Sequence, residues 1–410
     1  MRTLLVTSYI PHRDIGHGGG KVLAEIASYF ASRHELSIIS FCHHPDELRL
    51  AKEIEGECAY FKAVPLPLDL PRLTRCRIRS LLRGEPLLVA CYDVPSMWKE
   101  VRSVLESRSF DLLQLDLPWM GQYVSLVRGA GVRTVLLELD VAVKPLRRSY
   151  EQEQSRILRL WRRRQLRSME RYEPRICRQF DLVYAASEEE RELLLSLDSE
   201  LEVSLLRYGI NEALLEVQPK LDSGHTLVFL GSFGHPPNVD AALYFCESVW
   251  PCIREQIPDA ELHLVGGSPP DAVTQLGRTA GVTVTGWVPD VGAHLAKADV
   301  CVVPLRRGGG VKLKTLEMMA AGRPVVTTSV GSEGIAIVDD RHALIANSPD
   351  EFASKVVALL HDDEARQALA AEGRALVRRE HRWDVSLGRL ERECQELVAQ
   401  ASPAAPVNDR

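Results

Sequence analysis

The chain has 410 residues, 45% apolar and 26% charged, and 50 Lys plus Arg against 56 Asp plus Glu leave a net charge of −6. That length predicts two or three domains with ample cores, and the acidic balance argues against a nucleic-acid binder, whose phosphate contacts need a basic face. Nine scattered cysteines with no Cys-x-x-Cys pair support neither a disulfide framework nor a zinc knuckle. No apolar run reaches the length of a membrane span or signal segment, so a reduced, cytoplasmic protein is expected.

In chain order, the first forty residues read as β-loop-α-β. Thr3–Thr7 is an apolar run suited to a strand buried on both faces. A glycine loop, Gly16-His17-Gly18-Gly19-Gly20, precedes a helical stretch with Val22, Leu23, Ile26 and Phe30 on one face. Leu36–Phe41, Leu112–Leu115, Thr134–Leu137 and Leu182–Ala185 read as further strands. Between Lys144 and Arg178 stand ten arginines, interleaved with Leu158, Leu160, Trp161 and Leu166. Such a basic amphipathic helix is either a solvated face with some packing residues or a contact with an anionic membrane or acceptor.

A polar segment, Gln218–Gly224, reads as a linker, after which the alternation restarts. Leu227–Leu230, Glu261–Val265, Val282–Thr285, Asp299–Val303 and Pro324–Thr327 are predicted strands. Asp240–Ile257 and Lys312–Ala321 are predicted helices between them. Strands alternating with helices mean βαβ units, so the fold class is α/β, with two Rossmann-like parallel-sheet domains facing across a cleft. The expected boundaries are an N-terminal domain 1–205 joined by a C-terminal helix 384–399, a C-terminal domain 206–381, and a disordered tail 400–410.

The strongest chemical signal is Gly308-Gly309-Gly310-Val311-Lys312-Leu313-Lys314, followed by Glu317. It sits just after a predicted strand and at a helix start, where ligands bind in doubly wound folds. Free N–H groups there favour anions, and glycine permits close approach. Lys312 and Lys314 oppose the helix dipole by about 0.3–1 kcal/mol each, an expense that a bound phosphate pair offsets. Glu317, one turn on, either accepts from vicinal hydroxyls such as those of a ribose or pairs with Lys314 or Arg323. The N-terminal glycine loop satisfies neither the P-loop nor the dinucleotide fingerprint. Asp-x-Asp and Gly-x-Ser-x-Gly are both absent, and His43-His44 reads as polar loop at a strand end, so metal-dependent and Ser-His-Asp chemistry find little support.

Residues 229–335 resemble the donor-binding half of a family-4, GT-B-fold glycosyltransferase. The resemblance runs through Gly231-Ser232-Phe233, Pro237–Ala241, Pro258–Leu262, Gly281–Asp290, the glycine-lysine-Glu317 segment and Gly331–Gly334. The N-terminal half is similar more loosely, through its glycine loop and Glu138–Val141. The resemblance implies transfer of a sugar from a nucleotide-sugar donor to an acceptor hydroxyl, with retention of configuration and neither metal nor other cofactor. It implies a polysaccharide or glycoconjugate pathway, with a glycan, lipid-linked or small-molecule acceptor and no nucleic acid. It further implies that Glu317 holds the ribose, that Lys312, Lys314 and Gly308–Gly310 serve the diphosphate, and that Trp287 and Val288 flank the base. Gly19 and Gly20 approach the diphosphate from the N-terminal side, and Ser232 and Asn238 border the donor.

Three departures stand out. Gly309 occupies a position where the family often has a second glutamate, Ser232 and Phe233 replace its usual Arg and Lys, and Leu139 falls near its histidine. The first two mark a subgroup with a Gly-Gly-Gly-x-Lys-x-Lys donor loop. Glu138 and Asp140 are the candidates for the group facing the anomeric carbon, a structural role being the alternative for each. If the basic segment 144–178 is a membrane contact rather than a solvated face, the contact expected is a peripheral one with the inner face of a membrane. The competing function is a catalytically decayed nucleotide-binding partner of another transferase.

Overall fold

A computed structural model describes residues 1–15, 18–218 and 224–400. The chain divides into two compact units, one of Met1–Leu206 with the chain from Leu387 onward, the other Arg207–Ser386.

Unit 1 is built on seven parallel strands: β1 (Arg2–Thr7), β2 (Glu35–Cys42), β3 (Tyr60–Pro65), β4 (Leu112–Asp116), β5 (Arg133–Glu138), β6 (Leu182–Ala185) and β7 (Val203–Leu205), in the order β3-β2-β1-β4-β5-β6-β7. Leu4, Leu5 and Val6 of β1 and Val135, Leu136 and Leu137 of β5 are wholly buried. That is the continuous apolar pattern of strands covered on both faces. Order reverses between β1 and β4, which makes the C-terminal ends of those two strands the topological switch point.

Unit 2 holds six parallel strands: β8 (Thr226–Leu230), β9 (Glu261–Val265), β10 (Val282–Gly286), β11 (Val300–Val303), β12 (Val325–Thr327) and β13 (Leu344–Ile345), ordered β10-β9-β8-β11-β12-β13. Its core runs through Phe229, Phe233, Phe245, Trp250 and Phe352. The switch point lies between β8 and β11. Both sheets are the Rossmann-like arrangement expected, and the strands read from sequence are all present. β3, β7 and β13 are additions: β7 and β13 have three and two residues, and β3 is mostly half-exposed.

The helix Trp383–Ala399 ends the described chain. At its start, Trp383 lies against Gly209, where a Cβ would meet its indole Cγ at 2.4 Å. Further along, Glu391 accepts from the Tyr29 hydroxyl at 2.9 Å and Glu393 accepts from Tyr184, both in unit 1. Most of the expected linker (219–223) and the expected tail from Ala401 onward lie outside the described residues. Among the described residues, no helix is long and apolar enough to cross a membrane.

Candidate functional site

The site in unit 2 grows from the two loops at its switch point. After β8 the chain makes Gly231–His235 and enters the helix Pro236–Tyr244. Gly266, just past β9, presses so closely on this turn that a Cβ would lie 1.7 Å from the Gly231 carbonyl oxygen. The Phe233 N–H donates to the Gly267 carbonyl at 2.9 Å. Asn238, buried in the first turn of that helix, donates its Nδ2 to the Ser232 carbonyl at 2.7 Å. Its Oδ1 accepts from Lys314 Nζ, so one side chain ties both loops together.

After β11 the chain runs through Pro304–Lys312 into the helix Leu313–Ala320. Gly308 and Gly310 have φ of +130° and +64°, a conformation that side-chain-bearing residues rarely adopt. Lys314 Nζ lies 5.3 Å from the centre of the Phe229 ring. Burial, with Lys312 adding repulsion and Glu317 opposing it, pushes the Lys314 ammonium down to about 7. Glu317 is half-buried on the same helix, three residues on and hence on the same face. Arg323 is turned to the Ala298 carbonyl at 2.7 Å. Gly322, at φ +66°, ends the helix as a left-handed cap residue.

Lys312 departs from expectation. It is buried, and its Nζ donates to the carbonyls of Gly309 at 2.8 Å and Gly310 at 2.6 Å, with Glu333 Oε2 at 3.5 Å. The ammonium holds the glycine loop from within, because an N-terminal helix residue with a four-carbon stem reaches the carbonyls two and three positions back. Gly334 packs on the same loop, its would-be Cβ 2.8 Å from Val311 Cγ2.

Sequence reasoning missed three participants. His235 precedes the first helix, and burial together with Lys314 and Lys312 lowers its pKa. Arg306 and Arg307 both bond Asp240, at 2.8 Å each. The only available signal was their position just after predicted strands. Trp287, 71% exposed, follows β10 beside Gly267, and Val288 is half-buried. Two strand spacings, roughly 10 Å, separate β10 from β8.

The unit 1 candidates fall differently. Gly19 and Gly20 belong to the first turn of the helix Gly18–Ala31, so they form no loop. Gly16 and His17 lie outside the described residues. Glu138 ends β5 and is wholly buried. Cys177 Sγ approaches its Oε1 at 3.6 Å, and Oε2 has no hydrogen-bond partner. Burial first, then the neighbouring Glu173, raises its pKa well above the carboxylate range. Glu173, also buried, accepts from the backbone N–H groups of Ala142 and Val143 at 2.7 and 3.2 Å, and burial pushes it up to about 8. This geometry withdraws Glu138 from direct contact with a substrate. Asp140, two residues on, is half-buried.

At the unit 1 switch point, Asp116 ends β4 and accepts from the Ser8 N–H at 2.7 Å and from the Ser8 hydroxyl. Burial pushes it up to about 7. The His43 Nε2–H donates to the Ser8 carbonyl at 2.8 Å while the ring stacks on Tyr9 at 4.9 Å. Among the described residues, no group of three or more His, Cys, Asp or Glu side chains is placed to hold a metal ion.

Residues 17–208 match the family model described as "Glycosyl transferase 4-like domain", and residues 224–362 match "Glycosyl transferases group 1". Together these matches make the chain one of the GT-B, family-4 glycosyltransferase type. It is 34% identical over 155 residues to the GDP-mannose-dependent alpha-(1-6)-phosphatidylinositol monomannoside mannosyltransferase of Mycobacterium tuberculosis, covering 34% of this chain and 40% of that one. It is 28% identical over 207 residues to the phosphatidyl-myo-inositol mannosyltransferase of Mycobacterium leprae, covering 47% of this chain and 54% of that one. The chain thus spans about half or less of the length of these curated relatives. Sucrose-phosphate synthase from Thermosynechococcus elongatus superposes with a TM-score of 0.73 at 18% identity, covering 97% of this chain and all of that one. HepE of Anabaena, solved with UDP and glucose, superposes at 0.67 with 13% identity, covering 96% and 99%. These likenesses carry the fold.

Proposed function

We propose that this protein transfers a sugar from a nucleoside-diphosphate sugar to an acceptor hydroxyl, with retention of configuration and without a bound metal. It belongs, on this reading, to a subgroup marked by the Gly-Gly-Gly-x-Lys-x-Lys donor loop. The observation that carries the reading is Lys314, a desolvated ammonium held by Asn238 between two helix starts, with Glu317 on the same helical face.

Loss of the nucleoside diphosphate concentrates negative charge on the distal phosphate. Donors fixed in advance where that charge develops stabilise the transition state more than the ground state. Lys314 supplies the charge, the N–H groups of Gly308–Gly310 and the helix starts supply fixed dipoles, and Glu317 accepts from the ribose hydroxyls. Lys312 acts one step back, holding the loop in shape. Trp287 and Val288 flank the base, and Ser232 and Asn238 border the phosphates. Gly19 and Gly20 offer the helix-start N–H groups of unit 1. Asp140 faces the anomeric carbon.

GDP-mannose is the first donor to test, since the matching curated relatives are named mannosyltransferases. A lipid-linked or glycan acceptor at the inner face of a membrane, met through the basic segment 144–178, fits the same reading. Thermal shift with UDP, GDP, ADP, dTDP and CDP tests the donor site. One nucleotide that stabilises the wild type but not Glu317→Ala supports it. Nucleotide binding without turnover on any acceptor makes the chain a decayed partner of another transferase.

A further inference from the structure

Seven of the thirteen large apolar side chains exposed among the described residues lie on two helices of unit 1. The helix Leu70–Arg83 buries only Cys76 and Ser80, leaving Leu70, Ile78, Leu81 and Leu82 in solvent, Leu82 at 82% exposure. The helix Arg156–Cys177 buries nothing before Gln165 and exposes Ile157 at 83%, with Leu158 and Leu160.

The two exposed stretches adjoin. Gln165 Nε2 donates to the Ser80 hydroxyl at 3.0 Å, Gln165 Oε1 accepts from the Leu87 N–H at 2.7 Å, and the Arg164 guanidinium donates to the Leu81 carbonyl. Residues 157, 160, 161 and 164 share one helical stripe. The apolar edge therefore runs from Leu81 along roughly 10 Å of the second helix to Ile157. Arg75, Arg77 and Arg83 are exposed beside the first group, and Arg156, Arg159 and Arg163 beside the second. Neither 70–83 nor 156–169 contains an Asp or Glu, in a chain whose net charge is −6.

We propose that this two-helix face docks on the surface of an anionic phospholipid bilayer. Protein interfaces are depleted of charge at their centres, whereas here Ile78, Leu81, Leu82, Ile157, Leu158 and Leu160 each have an arginine within three residues on both sides. Apolar side chains set among guanidinium groups suit the boundary between acyl chains and phosphates, where an amphipathic helix lies flat. The proposal rests on the transferase reading for its purpose, a membrane-borne acceptor, but it uses no residue of the donor machinery. It adds the helix Leu70–Arg83 to the basic segment that sequence singled out.

The test is co-sedimentation of the full chain with phosphatidylglycerol-containing and pure phosphatidylcholine vesicles. The variants are L82E/I157E and R75Q/R77Q/R83Q, their folding checked by nucleotide-induced thermal shift. Wild type sediments with the anionic vesicles only, and each variant partitions about tenfold more weakly or worse. Equal partitioning of wild type and L82E/I157E overturns the proposal. So does an oligomer in solution that L82E/I157E dissociates while vesicles bind nothing, which makes the face a contact between copies. Vesicle binding without nucleotide binding removes the transfer reaction and leaves the surface standing; donor-dependent transfer without vesicle binding removes the surface alone.

Discussion

Lys312 Nζ lies 3.5 Å from Glu333 Oε2, and both side chains are almost wholly removed from solvent. The same ammonium satisfies two carbonyls of the glycine loop. One cation therefore shapes the loop, while the next, Lys314, turns the other way and bonds Asn238.

Lys312→Ala is expected to lower stability by about 1–3 kcal/mol, because it removes the ammonium that donates to the Gly309 and Gly310 carbonyls. Lys312→Arg does not rescue it, since a planar fork cannot converge on three oxygens around one nitrogen. Thermal unfolding of the two variants checks this.

Lys314→Met is expected to change the melting temperature little, because relief of a desolvated charge offsets the lost bond to Asn238. Turnover falls by about 10²–10³ if the ammonium meets the leaving diphosphate. Steady-state kinetics show a fall in kcat larger than the rise in KM.

Affinity for nucleoside diphosphate depends on the Lys314 proton. In the free protein the ammonium titrates at about 7, and a bound anion raises that value. Above pH 7 binding must therefore take up a proton, so Kd weakens by up to about tenfold per pH unit. Below pH 7 the lysine is already charged and this contribution levels off. Calorimetry in buffers of different ionisation enthalpy reads the proton uptake directly.

Asp116 gives unit 1 a pH dependence of its own, in stability rather than in affinity. Its folded pKa, about 7, lies above the ordinary carboxylate value of 3.8. The folded state holds the proton longer than the unfolded chain, so stability contributed by the protonated form is full below pH 3.8. It is lost as pH rises towards 7. Asp116→Asn, which keeps an acceptor for Ser8, flattens that slope. Chemical unfolding at pH 5 and pH 8 compares them.

Gly266→Ala is expected to prevent folding of unit 2 or to destabilise it by more than about 4 kcal/mol, since backbone rather than a flexible side chain occupies the Cβ position. Soluble yield and near-ultraviolet circular dichroism show it.

The sheets were legible because buried parallel strands read as unbroken apolar runs: Leu4-Leu5-Val6 and Val300–Val303 needed no tertiary information. β13 has two half-buried residues and exists only because β12 is beside it. The glycine-lysine loop and Glu317 announced themselves by unfavourable placement of charge at a helix start. Which way each lysine turns was not legible, because Asn238 and Glu333, the residues that decide it, stand 76 and 21 positions away. His235 and the Asp116–Ser8 pair were invisible for the same reason. Glu138 was visible but misleading: position at a strand end marks a site, whereas burial against Cys177 and Glu173 is a property of packing.

The most direct measurement is the thermal shift of wild type and Glu317→Ala with each nucleoside diphosphate. A nucleotide at a hundredfold excess over Kd stabilises the folded state by about 2.7 kcal/mol. That shift is expected for one base, reduced or abolished in Glu317→Ala. No shift with any nucleotide, or an equal shift in the variant, contradicts it.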